Sequence, residues 1–314
     1  MLAFDLIGFQ TADSQRHFED YLRHELRLPV SGDALRSARG LTRLGVFPIG
    51  IDVDLFASRA SKASVRPEVS RLRASLHNAK LVIGVDRLEY SKGLANRVRA
   101  FAELCETQPS LRRAVSLLQI AVPSRGEVGA YRDLRTELAT LVSEVNGRFG
   151  EADWTPIRYL NKGSSQTMLA GFYRAPHVGL ITPLNDGMNL VAKEYVAAQN
   201  AVDPGVLVLS EFAGAAGQLE SALLVNPHDM AGMARALGQA LAMPLEERRD
   251  RWGAMMKVLR ASSVQLWFAD FVRVLEGARS LVPLVPELPA TVAGAGSGSE
   301  RPLVRFERLF TKGG

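Results

Sequence analysis

Apolar and polar positions alternate along this chain in two rhythms. Short unbroken runs of Val, Ile and Leu predict strands at 4–9, 44–47, 81–85, 115–122, 157–160, 177–182, 206–209 and 223–225. Apolar residues recurring every three or four positions predict helices at 14–26, 92–106, 127–146, 165–173, 190–199, 214–219 and 230–241. A long helix follows over 245–275, interrupted near Ser262. From Leu81 onward strands and helices alternate, and the strands are apolar throughout rather than on one side only. That pattern predicts a parallel sheet covered on both faces, a doubly wound α/β domain.

Two breaks divide the chain. The Pro48-Ile49-Gly50-Ile51-Asp52 segment interrupts the strand pattern and is read as a hinge, so 1–50 forms one unit and 51–280 the doubly wound one. Beyond Arg279 the composition turns to Pro, Val, Ala, Gly and Ser and then to the basic end RPLVRFERLFTKGG, which predicts a flexible tail over 281–314. Two strands with no further partners would leave open edges, so 1–50 is expected to dock on the larger unit or to be completed by a second chain.

Composition narrows the class. At 314 residues and 47% hydrophobic the chain can bury a substantial core. Lys plus Arg exceeds Asp plus Glu, 38 against 33, which suits an anionic partner; because the arginines are dispersed, a phosphorylated metabolite fits better than nucleic acid. The single cysteine, Cys105, excludes an internal disulfide, and its apolar helical neighbours predict a buried structural thiol. No apolar run is long enough for a membrane span, and MLAFDLIGFQT lacks a basic leader, so cytoplasm is expected.

In open parallel sheets ligands sit beyond the carboxyl ends of the strands. Three of the loops there carry chemistry. After 81–85 comes Asp86-Arg87-Leu88-Glu89-Tyr90-Ser91-Lys92-Gly93, two cations beside a helix start; after 115–122 comes Pro123-Ser124-Arg125-Gly126. The third, TPLNDGMNLVAKEYVAAQ over 182–199, passes from a strand through a tight loop with Asp186, Gly187 and Asn189 into a helix near Leu190. A helix N-terminus presents unpaired N–H groups and a positive dipole end, which favours phosphate. Glu194, one turn in, can accept hydrogen bonds from a ribose diol. Together these suggest a nucleotide-sugar diphosphate. The alternative is that Arg87 and Lys92 pair with Asp86 and Glu89 as surface salt bridges, and that Asp186-Gly187 serves turn geometry alone.

VDRLEYSKG, the loop at Arg125 and above all LNDGMNLVAKEYVAAQ resemble the α,α-trehalose-phosphate synthases, retaining glycosyltransferases. The resemblance runs from Ile7-Gly8-Phe9-Gln10-Thr11 through Phe47–Asp52 to about Glu276 and includes PGVLVLSEFAGAA at 204–216. It implies the C-terminal domain of a two-domain GT-B type glycosyltransferase, with two facing Rossmann-like domains, moving glucose from UDP-glucose to glucose 6-phosphate without a metal or other cofactor. By the same resemblance, Arg87 and Lys92 hold the donor diphosphate and Arg125 the phosphate of glucose 6-phosphate. Asp186 and the Gly187, Met188 and Asn189 backbone hold the transferred glucose. Leu190, Val191, Ala192, Lys193 and Glu194 cover the nucleotide, with Glu194 on the ribose and the Ser164 backbone on the base.

Two departures qualify this. Family members begin much earlier, and the preceding stretch carries a glycine-rich loop, most acceptor contacts and a histidine at the transferred sugar. The chain alone is therefore expected to lack turnover, with a truncated nucleotide-sugar-binding subunit or regulator as the alternative reading. None of the five histidines (17, 24, 77, 177, 228) lies in the motif of that absent histidine, and His17 and His24 are expected on a helix surface. At Asn161-Lys162-Gly163-Ser164-Ser165-Gln166 the family pattern has a bulkier Phe and an Arg. Asp52-Val53-Asp54 mimics a phosphatase opening but is better explained by the hinge.

Overall fold

The computed structural model describes residues 4–37, 40–124 and 129–279 of the 314-residue chain. Arg125 and the tail over 281–314 lie outside the described residues, so the expectations placed on them find no structural counterpart.

The chain opens with β1 (Leu6–Phe9), α1 (Ala12–His24), β2 (Val30–Ser31), β3 (Ala34–Ser37) and β4 (Gly40–Val46). Thr11 caps α1, its Oγ1 accepting the Ser14 N–H at 3.1 Å. The expected pair of strands is a four-stranded sheet in the order β1-β4-β3-β2, with β1 parallel to β4 and the rest antiparallel. β2 and β3 escaped the pattern because one is two residues long and the other, ALRS, has no apolar run. Leu22, Leu35 and Leu44 form this lobe's own small core.

The larger unit follows: α2 (Val53–Ala63), α3 (Pro67–Ala74), β5 (Lys80–Arg87), α4 (Leu94–Thr107), β6 (Val115–Val122), α5 (Gly129–Phe149) and β7 (Ile157–Leu160). Next come α6 (Gln166–Tyr173), β8 (Val178–Ile181), α7 (Leu190–Ala198), β9 (Val206–Ser210), β10 (Leu223–Val225), α8 (Met230–Ala242), α9 (Leu245–Ala261) and α10 (Val264–Arg279). The sheet is parallel throughout, in the order β10-β9-β8-β5-β6-β7. From β5 the chain steps outward to β6 and β7, then returns to lay β8 on the other side of β5. The β5/β8 boundary is thus the point where strand order reverses, and the crevice beyond its carboxyl ends is where such folds take ligands. Leu81, Ile83 and Val85 of β5 enter one apolar core with α2, α6, α7 and α9, while Val82 enters the other with α4, α5 and α8, so both faces are covered.

The expected helix at 214–219 is a 3-10 turn over Gly214–Gly217, and α2 and α3 fill a stretch in which no element was expected. Asp52, the first residue of the phosphatase-like triplet, caps α2 by accepting the Leu55 N–H at 3.0 Å, a structural duty. No helix of the described residues is long and apolar enough to cross a membrane.

The Pro48–Asp52 segment that links the two sheets is held from three directions. Gln10 accepts the Ile49 N–H at 2.9 Å, Lys193 donates to the Ile49 carbonyl at 2.6 Å, and the Val264 N–H reaches the Ile51 carbonyl at 3.2 Å. Gly50 lies so close to the break between α9 and α10 that a Cβ there would stand 1.9 Å from the Ser262 carbonyl oxygen. After that break α10 crosses back to the first lobe: Phe271 packs edge-on to Phe47 at 5.0 Å, and the Trp267 indole donates to the Phe47 carbonyl at 3.0 Å.

Candidate functional site

Beyond the β5/β8 crevice, two loops meet. After β5, a 3-10 turn over Tyr90–Lys92 ends at Gly93, which adopts a left-handed conformation (φ 63°) and delays the start of α4 to Leu94. Only glycine suits this place: besides the positive φ, a Cβ would come within 2.6 Å of the Thr182 carbonyl oxygen. The turn aims Lys92 across the crevice, and its Nζ donates to Asp186 Oδ2 at 2.6 Å with the lysine side chain 9% and the aspartate 18% exposed. Asn189 Nδ2 donates to the same carboxylate oxygen at 3.1 Å. Asn189 is itself left-handed (φ 73°) and caps α7, its Oδ1 accepting the Ala192 N–H at 2.9 Å. One side chain thus fixes both the helix start and the carboxylate before it.

The loop at 186–189 is laced to the one after β9. The Gly214 N–H donates to the Asp186 carbonyl at 2.9 Å and the Ala215 N–H to the Met188 carbonyl at 2.7 Å. A Cβ on Gly214 would fall 2.1 Å from the Gly187 carbonyl oxygen, so this approach also requires glycine. Met188, Ala192 and Lys193 are buried; Gly187 and Leu190 are exposed, and Val191 and Glu194 are half-buried. The Lys193 side chain turns from the crevice to the Ile49 carbonyl, and burial lowers its ammonium to about 8. Burial also raises the Glu194 carboxyl to about 6, against a hydrogen bond from Gln166 that lowers it. Ser164 lies half-buried just ahead of α6.

The other expected cation behaves differently. Arg87 is 61% exposed and pairs with Glu89 at 2.6 Å, whereas Lys92 has Asp186 as its partner instead of Asp86 or Glu89. Asp86, read from sequence as a surface residue, is buried and bound to Arg97 Nη2 at 2.7 Å. Arg97, fully buried on α4, also donates to Thr182 Oγ1 at 3.3 Å and to Gln119 Oε1 at 3.2 Å, tying together the ends of β5, β6 and β8. Its path is opened by Gly84, where a Cβ would meet the guanidinium at 2.6 Å. Burial raises the Asp86 carboxyl, and Arg97 opposes that rise. The one sequence signal was a glycine inside an apolar strand beside an aspartate at its carboxyl end.

Between the lobes a cleft of about 840 Å³ is lined by Gln10, Thr11 and His17 on one side and by Asp186, Gly187 and Gln218 on the other. His17, though exposed on α1 as expected, therefore faces the Asp186 loop. His177 is structural, its Nδ1 accepting the Leu81 N–H at 3.2 Å. Cys105 is buried, and burial pushes its thiol up to about 11. Among the described residues no group of three or more His, Cys, Asp and Glu is arranged to hold a metal ion.

The model of glycosyltransferase family 20 matches residues 1–277. A trehalose-6-phosphate synthase of Sinorhizobium fredii is 47% identical over 273 residues, spanning 87% of this chain and 59% of that relative. One from an Enterobacter species is 46% identical over 274 residues, with 87% and 58% covered. A crystal structure of an α,α-trehalose-phosphate synthase (UDP-forming) from Burkholderia xenovorans, in complex with glucose 6-phosphate, superposes with a TM-score of 0.86 at 47% identity, covering 87% of this chain and 61% of that one. An E. coli structure described as bound with UDP-2-fluoro glucose gives 0.84 at 42% identity, covering 87% and 60%. The chain spans about 59% of the length of the curated relatives it matches.

Proposed function

Because the chain belongs to glycosyltransferase family 20, we propose that it carries the donor side of a trehalose 6-phosphate synthase. The reaction is transfer of glucose from a nucleotide-glucose, UDP-glucose in this reading, to glucose 6-phosphate with retention of anomeric configuration. The supporting observation is the meeting of Lys92, Asp186 and the α7 N-terminus at the strand-order reversal. We further take 1–50 as the acceptor-side portion, 51–280 as the nucleotide-sugar domain and 281–314 as a tail.

The ammonium of Lys92 has three N–H donors, of which Asp186 takes one, leaving two for a diphosphate. Arg87 reaches the same diphosphate by releasing Glu89. Glu89, whose side chain is 16% exposed, keeps the Ser124 hydroxyl as a donor at 3.1 Å when the guanidinium leaves, and a charge-assisted bond to phosphate contributes about 1.5–3 kcal/mol. The α7 N-terminus adds its dipole. Asp186 with the 187–189 backbone grips the glucose, the backbone over 190–194 covers the nucleotide, Ser164 meets the base and Glu194 accepts the ribose hydroxyls. Arg125 is assigned to the acceptor phosphate. As the bond to glucose breaks, Arg87 and Lys92 stabilise the charge on the departing nucleotide, whose phosphate takes the proton of the incoming hydroxyl on the same face. A cytoplasmic setting suits this reading, since nucleotide sugars and sugar phosphates are made there.

Calorimetric titration of UDP into the wild-type chain and Lys92→Ala tests it. Loss of the ammonium is expected to weaken binding at least about tenfold, or about 1.4 kcal/mol. Equal affinities would remove Lys92 from the diphosphate site, and no binding to the wild type would sink the donor reading.

A further inference from the structure

Arg97 stands on α4 one turn past Gly93, to whose carbonyl its N–H donates at 3.0 Å. Its backbone is therefore fastened to the loop that carries Lys92. Its side chain reaches the other loop of the site: Nε donates to Thr182 Oγ1 at 3.3 Å, while Nη2 holds Asp86 at 2.7 Å. Thr182 follows β8 directly and Asp86 is the last residue but one of β5, so one guanidinium grips both strand ends from which the two loops depart. Toward the crevice the loops lean on each other. The Leu184 and Asn185 N–H groups both donate to the Ser91 carbonyl, at 2.8 and 3.2 Å, and the Thr182 carbonyl lies against Gly93. The Lys92–Asp186 contact is the solvent-facing end of this seam, and Arg97, with no exposure at all, is its floor. Resting on the donor-site reading above, we propose that Arg97 is a positioning residue for the donor: it fixes the gap between the 87–93 and 182–189 loops and so sets where Lys92 meets Asp186.

A buried charge pair is a poor fastener for its own sake, because apolar side chains of similar volume hold strands together as well or better. What apolar packing does not supply is direction. The donors of a guanidinium lie in a rigid planar fork, so Asp86, Gln119 and Thr182 are held at set angles as well as set distances. Lys92 needs that precision. Its Nζ meets Asp186 at 2.6 Å, and a slip of about 1 Å between the loops carries the contact beyond hydrogen-bond range.

The full chain is compared as wild type, Thr182→Val and Asp86→Leu/Arg97→Met. Thr182→Val removes one neutral acceptor and leaves Arg97 bonded to Asp86 and Gln119, whereas the double variant removes the grip without stranding a buried charge. In calorimetric titration Thr182→Val should bind UDP about fivefold more weakly than wild type, and the double variant at least about tenfold more weakly even where urea unfolding shows its stability restored. In a Lys92→Ala background, Thr182→Val should cost nothing further, since no ammonium is left to aim. Without any ligand, brief acylation by acetic anhydride, read by peptide mass spectrometry, should label Lys92 about threefold faster in Thr182→Val. Lys193, buried and held on the Ile49 carbonyl, should be labelled as in wild type. A double variant that regains UDP affinity along with stability, a Thr182→Val cost that persists without Lys92, or labelling that rises alike at both lysines marks a structural tie only and overturns the proposal. If the wild type binds no UDP, the donor reading falls, and acylation alone decides whether Arg97 positions Lys92, unchanged labelling in Thr182→Val being the refuting result.

Discussion

Replacing Arg97 with methionine should be among the most costly single changes in this chain, and its cost should depend on pH. The substitution keeps much of the aliphatic stem but deletes the guanidinium that holds Asp86 at 2.7 Å, Gln119 at 3.2 Å and Thr182 at 3.3 Å, all in a region without solvent contact. Removing one partner of a buried pair leaves the other charge uncompensated and costs about 3–5 kcal/mol. The Asp86 carboxyl is already raised by burial from 3.8, and Arg97 is the largest influence opposing that rise, so without Arg97 it climbs further. An acid raised in the folded state binds protons more tightly there than when unfolded. Stability is therefore highest when Asp86 is protonated, and falls as pH rises from the unfolded value through the folded one. Acidification should accordingly rescue Arg97→Met relative to wild type: the difference in unfolding free energy, measured by urea at about pH 7 and about pH 5, should narrow. The double variant Asp86→Leu/Arg97→Met, with no charge to bury, should recover most of the loss. A loss below about 1 kcal/mol, a difference independent of pH, or a double variant as unstable as the single one would refute this account.

Two further outcomes are expected. Gly93→Ala combines a positive φ with a Cβ 2.6 Å from the Thr182 carbonyl oxygen, so it should lose more than about 1 kcal/mol in urea unfolding and, by displacing Lys92, weaken UDP in the same calorimetric assay. Lys193→Met should remove a pH dependence: the buried amine is lowered from 10.5 to about 8, so between those values the unfolded chain binds more protons and wild-type stability climbs with pH. The variant should lack that climb in parallel urea titrations, and identical slopes would mean the amine is charged in place.

The doubly wound sheet was legible because its strands carry unbroken apolar runs, and the break near Ser262 because the helical rhythm lapses there. Lys92, Asp186 and Asn189 could be nominated because they follow strands, where loops rather than cores are read. What escaped was set by long-range contact. Nothing local marks Arg97 as buried, since its neighbours in α4 include the exposed Arg99 and the half-buried Asn96, and its partners lie on three other segments. Nor does sequence distinguish Lys92 pairing with Asp86 from Lys92 reaching 94 residues onward to Asp186. The strands β2 and β3 exist through their pairing with β4 and have no pattern of their own.

The return of α10 to the first lobe has a consequence for the order of events during synthesis. The Phe47 carbonyl finds its partner in Trp267, 220 residues later, and the ring of Phe47 packs on Phe271. At about 5–20 residues per second the ribosome needs roughly 10–40 s to supply that stretch. Through this interval β1 and β4 can pair and the larger sheet can assemble, while the apolar surface around Gly8 and Phe47 has no cover. The sheet formed by β1 to β4 is thus sealed only after the larger sheet has been made, and the apolar surface around Phe47 stays open throughout that interval.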